Sequence, residues 1–169
     1  MTTRLDQLNT LSPAEAESEF LKCCGSQHWV QRMITNRPYL SVEELYLKAA
    51  DLWWDLEQDD WLEAFSSHPK IGERKAATEV STQAQEWSGQ EQAGVEQAQE
   101  QTLSELARLN TEYEAKFGYI YIVCATGRSS EEMLEILKTR INNNAEDEIT
   151  IAAGEQAKIT DLRLRKMLA

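Results

Sequence analysis

The amino-acid sequence predicts an all-α protein, a single-domain helical bundle with one extended segment near residues 117–125. Three observations predict it. Ser-x-x-Glu patterns recur just ahead of stretches whose apolar residues return every three or four positions, and the connections between those stretches are short. Only one run, Phe117 to Ala125, is dominated by the β-branched and aromatic residues that favour strands, and no second run of comparable strength exists to pair with it.

In order along the chain, Ser12-Pro13-Ala14-Glu15 supplies an N-cap, a proline at the first helical position and a capping-box glutamate, so a helix is expected from there to about Cys24, ended by Gly25. A second runs from His28 to about Asn36, with Trp29, Met33 and Ile34 near one face, and stops at Arg37-Pro38. Ser41-Val42-Glu43-Glu44 opens an amphipathic helix carrying Leu45, Leu47, Ala49, Leu52, Trp53 and Leu56. A shorter segment, Trp61 to Phe65, leads to Ser67-His68-Pro69-Lys70-Ile71-Gly72-Glu73. Residues 73–87 are polar with little periodicity and read as a loop or short helix. Ser88-Gly89-Gln90-Glu91 is a further Ser-x-x-Glu pattern, from which a long helix with Leu103, Leu106 and Leu109 should reach about Lys116. After the odd run 117–125, Ser129 to Glu132 caps a helix bearing Met133, Leu134, Leu137 and Ile141. The last helix spans about Glu146 to Met167, with Ile149, Ala152, Ala153, Gln156, Ile159 and Arg163 close to one stripe.

The 169 residues, 41% of them hydrophobic, suffice for one domain with a closed core. A net charge of −12 argues against nucleic acid and anionic membrane partners, which need clustered Lys and Arg. An anionic small molecule would need a local cationic pocket, for which Lys70, Arg128, Lys158, Arg163 and Arg165 are available. Cys23, Cys24 and Cys124 have neither disulfide nor zinc spacing, which fits a reducing compartment. No basic start followed by an apolar run, no membrane-length apolar stretch and no Ser-Lys-Leu ending is visible, so a cytoplasmic location is expected.

Three side chains have the chemistry for a reaction. Pro69 bars helical geometry at His68 and so mounts an imidazole on a fixed turn; the ring then either handles a proton near neutrality or caps the carbonyls of the preceding helix. Glu91 is either a capping-box member reaching back to Ser88 or a carboxylate beside a ligand held by the free N–H groups of a helix N-terminus over Ser88 to Gln92. Arg163 projects from the inward edge of the last helix, where its fork either meets an anionic ligand or pairs with a surface glutamate. The run 117–125 is either a helix against its propensity or an extended stretch whose backbone groups meet side chains or a ligand. No Gly-rich phosphate loop and no metal-ligand cluster appears, so neither a cofactor nor a metal is expected.

The series His68-Pro69-x-Ile71-Gly72, Ser88-x-x-Glu91-Gln92-x-Gly94, Phe117-Gly118-Tyr119-Ile120-Tyr121-Ile122 and Lys158-Ile159-x-x-Leu162-Arg163-Leu164 resembles the OHCU decarboxylase family in order and spacing, with Arg37-Pro38-Tyr39 and Ala64-Phe65 extending the match upstream. The resemblance covers nearly the whole chain. It implies an all-helical, homodimeric, cofactor-independent enzyme that removes CO2 from 2-oxo-4-hydroxy-4-carboxy-5-ureidoimidazoline to give (S)-allantoin in urate degradation. It also implies catalytic roles for His68 and Glu91, a substrate-binding role for Arg163, and substrate contacts from Pro69, Ser88, Gly89, Gln90, Gln92 and the backbone of Tyr121, Ile122, Val123, Cys124 and Ala125. Tyr121 stands where the family often has phenylalanine, and the loop 73–87 is longer than in animal members. The alternative from another class is a non-catalytic acidic helical module whose tryptophans anchor a basic partner.

Overall fold

A computed structural model describes residues 1–71, 82–92 and 99–169, with the side chain of Thr82 left out. Gly72, Glu73 and Gly94, which belong to the motifs above, lie outside the described residues, as does most of the loop expected before Trp87. Every regular element among the described residues is a helix: α1 (Arg4–Thr10), α2 (Pro13–Cys23), α3 (Gln27–Thr35), α4 (Val42–Trp54), α5 (Gln58–Ser66), α6 (Thr82–Glu91), α7 (Glu100–Phe117), α8 (Ser130–Arg140) and α9 (Ala145–Leu168). None of them is long and apolar enough to cross a membrane.

The cap signals place most helix starts. Ser12 accepts from the Glu15 amide while Glu15 reaches back to the Ser12 amide, and the hydroxyls of Ser41 and Ser129 accept from Glu44 and Glu132 at the starts of α4 and α8. The same device opens α1, which sequence reading passed over: Thr3 and Asp6 form a reciprocal capping box, with aspartate in the place usually read for glutamate.

One expected cap is overturned. Ser88-Gly89-Gln90-Glu91 does not begin a helix but forms the last turn of α6, and the Gln92 amide donates to the Ser88 carbonyl (3.1 Å). The reason is the stretch before it: Ala84, Trp87, Ser88 and Glu91 are all buried and fall at helical spacing, so the chain upstream coils to keep them on one face instead of extending as an N-cap requires. The turn thus carries the negative end of a helix dipole, not a row of free N–H groups. The next helix, α7, starts later, at Glu100 after Gln99.

The contacts divide the chain into two compact units, Met1–Ala64 with Ala157–Ala169, and Phe65–Gln156. In the first, α2 packs on α3 and α3 on α4. Trp29 is fully buried, meets Phe20 edge to face at 5.9 Å and donates its indole N–H to the Ala49 carbonyl (3.1 Å), so its one polar atom is satisfied in the core. Arg37 donates from Nη1 to the carbonyls of Leu8 and Leu11 (2.8 and 2.9 Å), closing the end of α1. Cys23 and Cys24 are free and buried, and burial pushes the Cys24 thiol up to about 11, which leaves it a small apolar filler at neutral pH.

The second unit is built on α7 against α8, with Leu106, Leu109, Met133 and Leu137 in its core and Tyr113 and Tyr121 among them. At its centre stands an ion pair. Arg140 donates to Glu148 from Nη2 (2.6 Å) and Nε (3.0 Å), with 5% and 0% of the two residues exposed. The Glu148 carboxylate also accepts from the Tyr113 hydroxyl and from Asn143 Nδ2 (3.1 Å), and the Arg140 guanidinium lies 5.0 Å from the Tyr121 ring centroid. Burial would lower the Arg140 pKa, but the carboxylate outweighs it and the net direction is upward; burial followed by the Glu148 bond pushes the Tyr113 phenol up, so the pair is charged and the phenol neutral.

A buried charge deprived of its partner is costly, so Arg140→Met should lower unfolding free energy in urea by about 3–5 kcal/mol. Removing both charges in Arg140→Met with Glu148→Leu should recover part of that loss. A single variant within about 1 kcal/mol of the parent would contradict this account of the core.

Candidate active site

His68 lies two residues past the end of α5, and its backbone N–H donates to the Phe65 carbonyl (3.2 Å), which continues the helix end as a tight turn. Pro69 then excludes helical geometry at His68, as the sequence required. Downstream, Lys70 pairs with Glu114 of α7 (2.9 Å) and Ile71 packs against the α7–α8 core, so the turn is held at both ends. The imidazole is 7% exposed, and its Nε2 lies 2.6 Å from Oε1 of Gln156, a fully buried residue of α9 in the same unit. Gln156 stood in the buried stripe of the last helix on sequence grounds, but nothing in its spacing distinguished a partner for His68 from a packing residue.

Ser88 and Glu91 are buried on the last turn of α6, Gly89 and Gln92 are partly buried, and Gln90 is exposed. These residues, His68 and Pro69 all belong to the second unit.

Residues 119–125 are neither helix nor strand, and α7 is ended by Gly118 in the left-handed region (φ 86°), where a side chain would be strained. Among the described residues no strand pairs with the segment, and several of its backbone groups turn to side chains. The Ile122 carbonyl accepts from Arg140 Nη1 (2.6 Å), the Cys124 amide faces Glu155 Oε1 (3.4 Å), and the Cys124 carbonyl accepts from Arg128 Nε (3.1 Å). Tyr121 sends its hydroxyl to the Met133 carbonyl (2.9 Å), which places its ring in the core. Tyr121, Ile122, Val123, Cys124 and Ala125 are all buried. The helical alternative is therefore not adopted, and side chains are partners of the Ile122 and Cys124 backbone.

Arg163 belongs to the first unit, is 4% exposed, and donates from Nη1 to the Lys22 carbonyl at the end of α2 (3.3 Å). Its charge acts to lower the pKa of the Cys23 and Cys24 thiols, though burial outweighs it at both. Arg165 is turned to Asp161 (2.8 Å) and the Tyr46 ring, and Lys158 is exposed. Of the cations that sequence offered for an anion, Arg163 is the buried one. Among the described residues, no three His, Cys, Asp or Glu side chains gather as metal ligands would.

The family model described as OHCU decarboxylase matches residues 9–165. Over 154 residues the chain is 40% identical to the uric acid degradation bifunctional protein TTL of Arabidopsis thaliana, a match that takes in 90% of this chain and 47% of that protein. A 2-oxo-4-hydroxy-4-carboxy-5-ureidoimidazoline decarboxylase of Haloferax volcanii is 26% identical over 95% of this chain and 93% of its own length. A crystal structure of OHCU decarboxylase in the presence of (S)-allantoin superposes with a TM-score of 0.76 at 38% identity, covering 89% of this chain and 97% of that one. The chain thus spans about half the length of the Arabidopsis bifunctional relative and nearly all of the Haloferax decarboxylase. With the motifs, the all-helical fold and these likenesses in agreement, the chain belongs to the OHCU decarboxylase family.

Proposed function

We propose that this chain, acting as one domain, decarboxylates 2-oxo-4-hydroxy-4-carboxy-5-ureidoimidazoline to (S)-allantoin in urate degradation. The single observation that carries the reading within the structure is His68: a buried imidazole on a proline-fixed turn with its ring oriented by Gln156, in a chain whose family match runs from residue 9 to residue 165. An ionisable ring mounted so firmly is suited to directed proton transfer.

The chemistry follows from the substrate. The bond to the carboxylate breaks, CO2 leaves, and its electron pair forms an enol-like double bond between the two ring carbons, while the displaced C=N pair moves onto the ring nitrogen, which takes up a proton from solvent. A proton then adds to the ring carbon bearing the ureido group, and the hydroxyl proton departs so that the ring carbonyl forms. Only the addition creates a stereocentre, so the protein must present that proton to one face. His68 handles this proton. Glu91 orients the substrate hydroxyl and takes up its proton, and Arg163 binds the anionic ring and the charge that develops on it. Pro69, Ser88, Gly89, Gln90, Gln92 and the 121–125 segment line the substrate. No metal or organic cofactor takes part, because the electron pair is stabilised by the substrate's own conjugated ring.

The active form is a homodimer in the cytoplasm. Leu47 and Trp54, seven positions apart on α4 and therefore on one face, are 69% and 46% exposed, which supports an apolar contact there.

Two measurements test these statements. Added to urate, urate oxidase and hydroxyisourate hydrolase, the protein should yield optically active allantoin by circular dichroism. His68→Ala should return allantoin formation to the slow, racemic background, a loss of about a hundredfold or more. An unchanged rate of (S)-allantoin formation in that variant would exclude the assignment. Light scattering after gel filtration should give twice the 19.3 kDa chain mass, and Leu47→Glu with Trp54→Glu should shift it toward the monomer.

A further inference from the structure

His68 has two ring nitrogens, and in a neutral imidazole one donates a hydrogen bond while the other accepts. Its Nε2 lies 2.6 Å from the Gln156 side-chain oxygen. A carbonyl oxygen has lone pairs and no hydrogen, so a contact of that length requires the hydrogen to sit on Nε2. Gln156 has little room to do otherwise: it is fully buried on α9, and Ala152 and Ala153, one turn before it, are fully buried too. The backbone of His68 is equally fixed, by its bond to Phe65 and by Pro69.

We propose that Gln156 is a positioning residue for His68: it holds the ring hydrogen on Nε2 and so assigns the proton exchange with substrate to Nδ1. The proposal rests on the decarboxylase reading above. An amide suits this task better than the carboxylate that often backs a histidine. A carboxylate would bias the ring toward the imidazolium, whereas an uncharged acceptor orients it without adding that bias. In a chain of net charge −12, neutrality at this one contact is a choice of residue that charge balance alone would not produce.

Two kinds of experiment test it. The chain has only two histidines, so ring nitrogen NMR of the labelled protein is assigned by comparison with His28→Asn, which removes the other. The neutral His68 ring should carry its hydrogen on Nε2, as a slowly exchanging resonance, with Nδ1 unprotonated; a hydrogen found on Nδ1 overturns the proposal. In the coupled urate assay, Gln156→Met, similar in length but without an acceptor, should lower kcat about ten- to a hundredfold with KM changed less than about threefold, part of the factor that directed proton transfer supplies. Gln156→Glu, which keeps an oxygen at the same reach, should recover much of that loss. Gln156→Met at the parental kcat, or Gln156→Glu no better than Gln156→Met, overturns it. If the parent itself gives no (S)-allantoin above the slow, racemic background, the decarboxylase reading fails, and the NMR result still decides the hydrogen's place on the ring.

Discussion

The constraint from which the second unit takes its form is the buried pairing of Arg140 with Glu148. Two charges removed from water are tolerated only when nearly every donor and acceptor is occupied, and here they are: the guanidinium meets the carboxylate through two nitrogens, reaches the Ile122 carbonyl with a third and covers the Tyr121 ring. The carboxylate in turn collects Tyr113 and Asn143. Three pieces of chain, α7, the end of α8 and the start of α9, are thereby tied to one non-helical stretch of backbone, which no strand ladder holds among the described residues.

That arrangement explains how Tyr119 to Ala125 can stay out of a helix without joining a sheet. Each backbone group left unpaired in a dry interior costs about 1–3 kcal/mol, enough to melt a segment of this length. Arg140, Arg128 and Glu155 supply what a neighbouring strand would have supplied. Strand partners impose a period of two on the side chains; ionic partners on separate helices do not, and Tyr121 to Ala125 are accordingly all buried, with no alternation to solvent.

Most helices were legible because their start signals are local chemistry. A serine hydroxyl and a glutamate three residues on satisfy orphan amides regardless of the rest of the chain, and Ser12, Ser41 and Ser129 cap as their spacing implies. The same pattern misled at Ser88, since a local signal is only a permission: the buried face of Ala84 and Trp87 keeps the chain helical through it. At Thr3 the reverse happened, with aspartate performing the glutamate's part in a short helix of weak periodicity. His68 was legible from Pro69, a backbone restriction that needs no partner. Its partner Gln156 was not, being 88 positions away and differing in no sequence property from a glutamine that merely fills space.

Two buried polar contacts of the second unit differ in kind. Where structure alone is at stake, full charges are paired and locked, Arg140 against Glu148. Where, on our proposal, the ring changes its proton, the acceptor at Nε2 is an uncharged amide, Gln156 against His68. A carboxylate in the place of Gln156 would have held the ring as well, but it would have added a charge whose attraction must be overcome each time the imidazolium gives up its hydrogen. On that proposal the sequence separates two tasks that one type of contact cannot perform together: rigid placement of a backbone by charge, and rigid placement of an acid-base group by an uncharged acceptor.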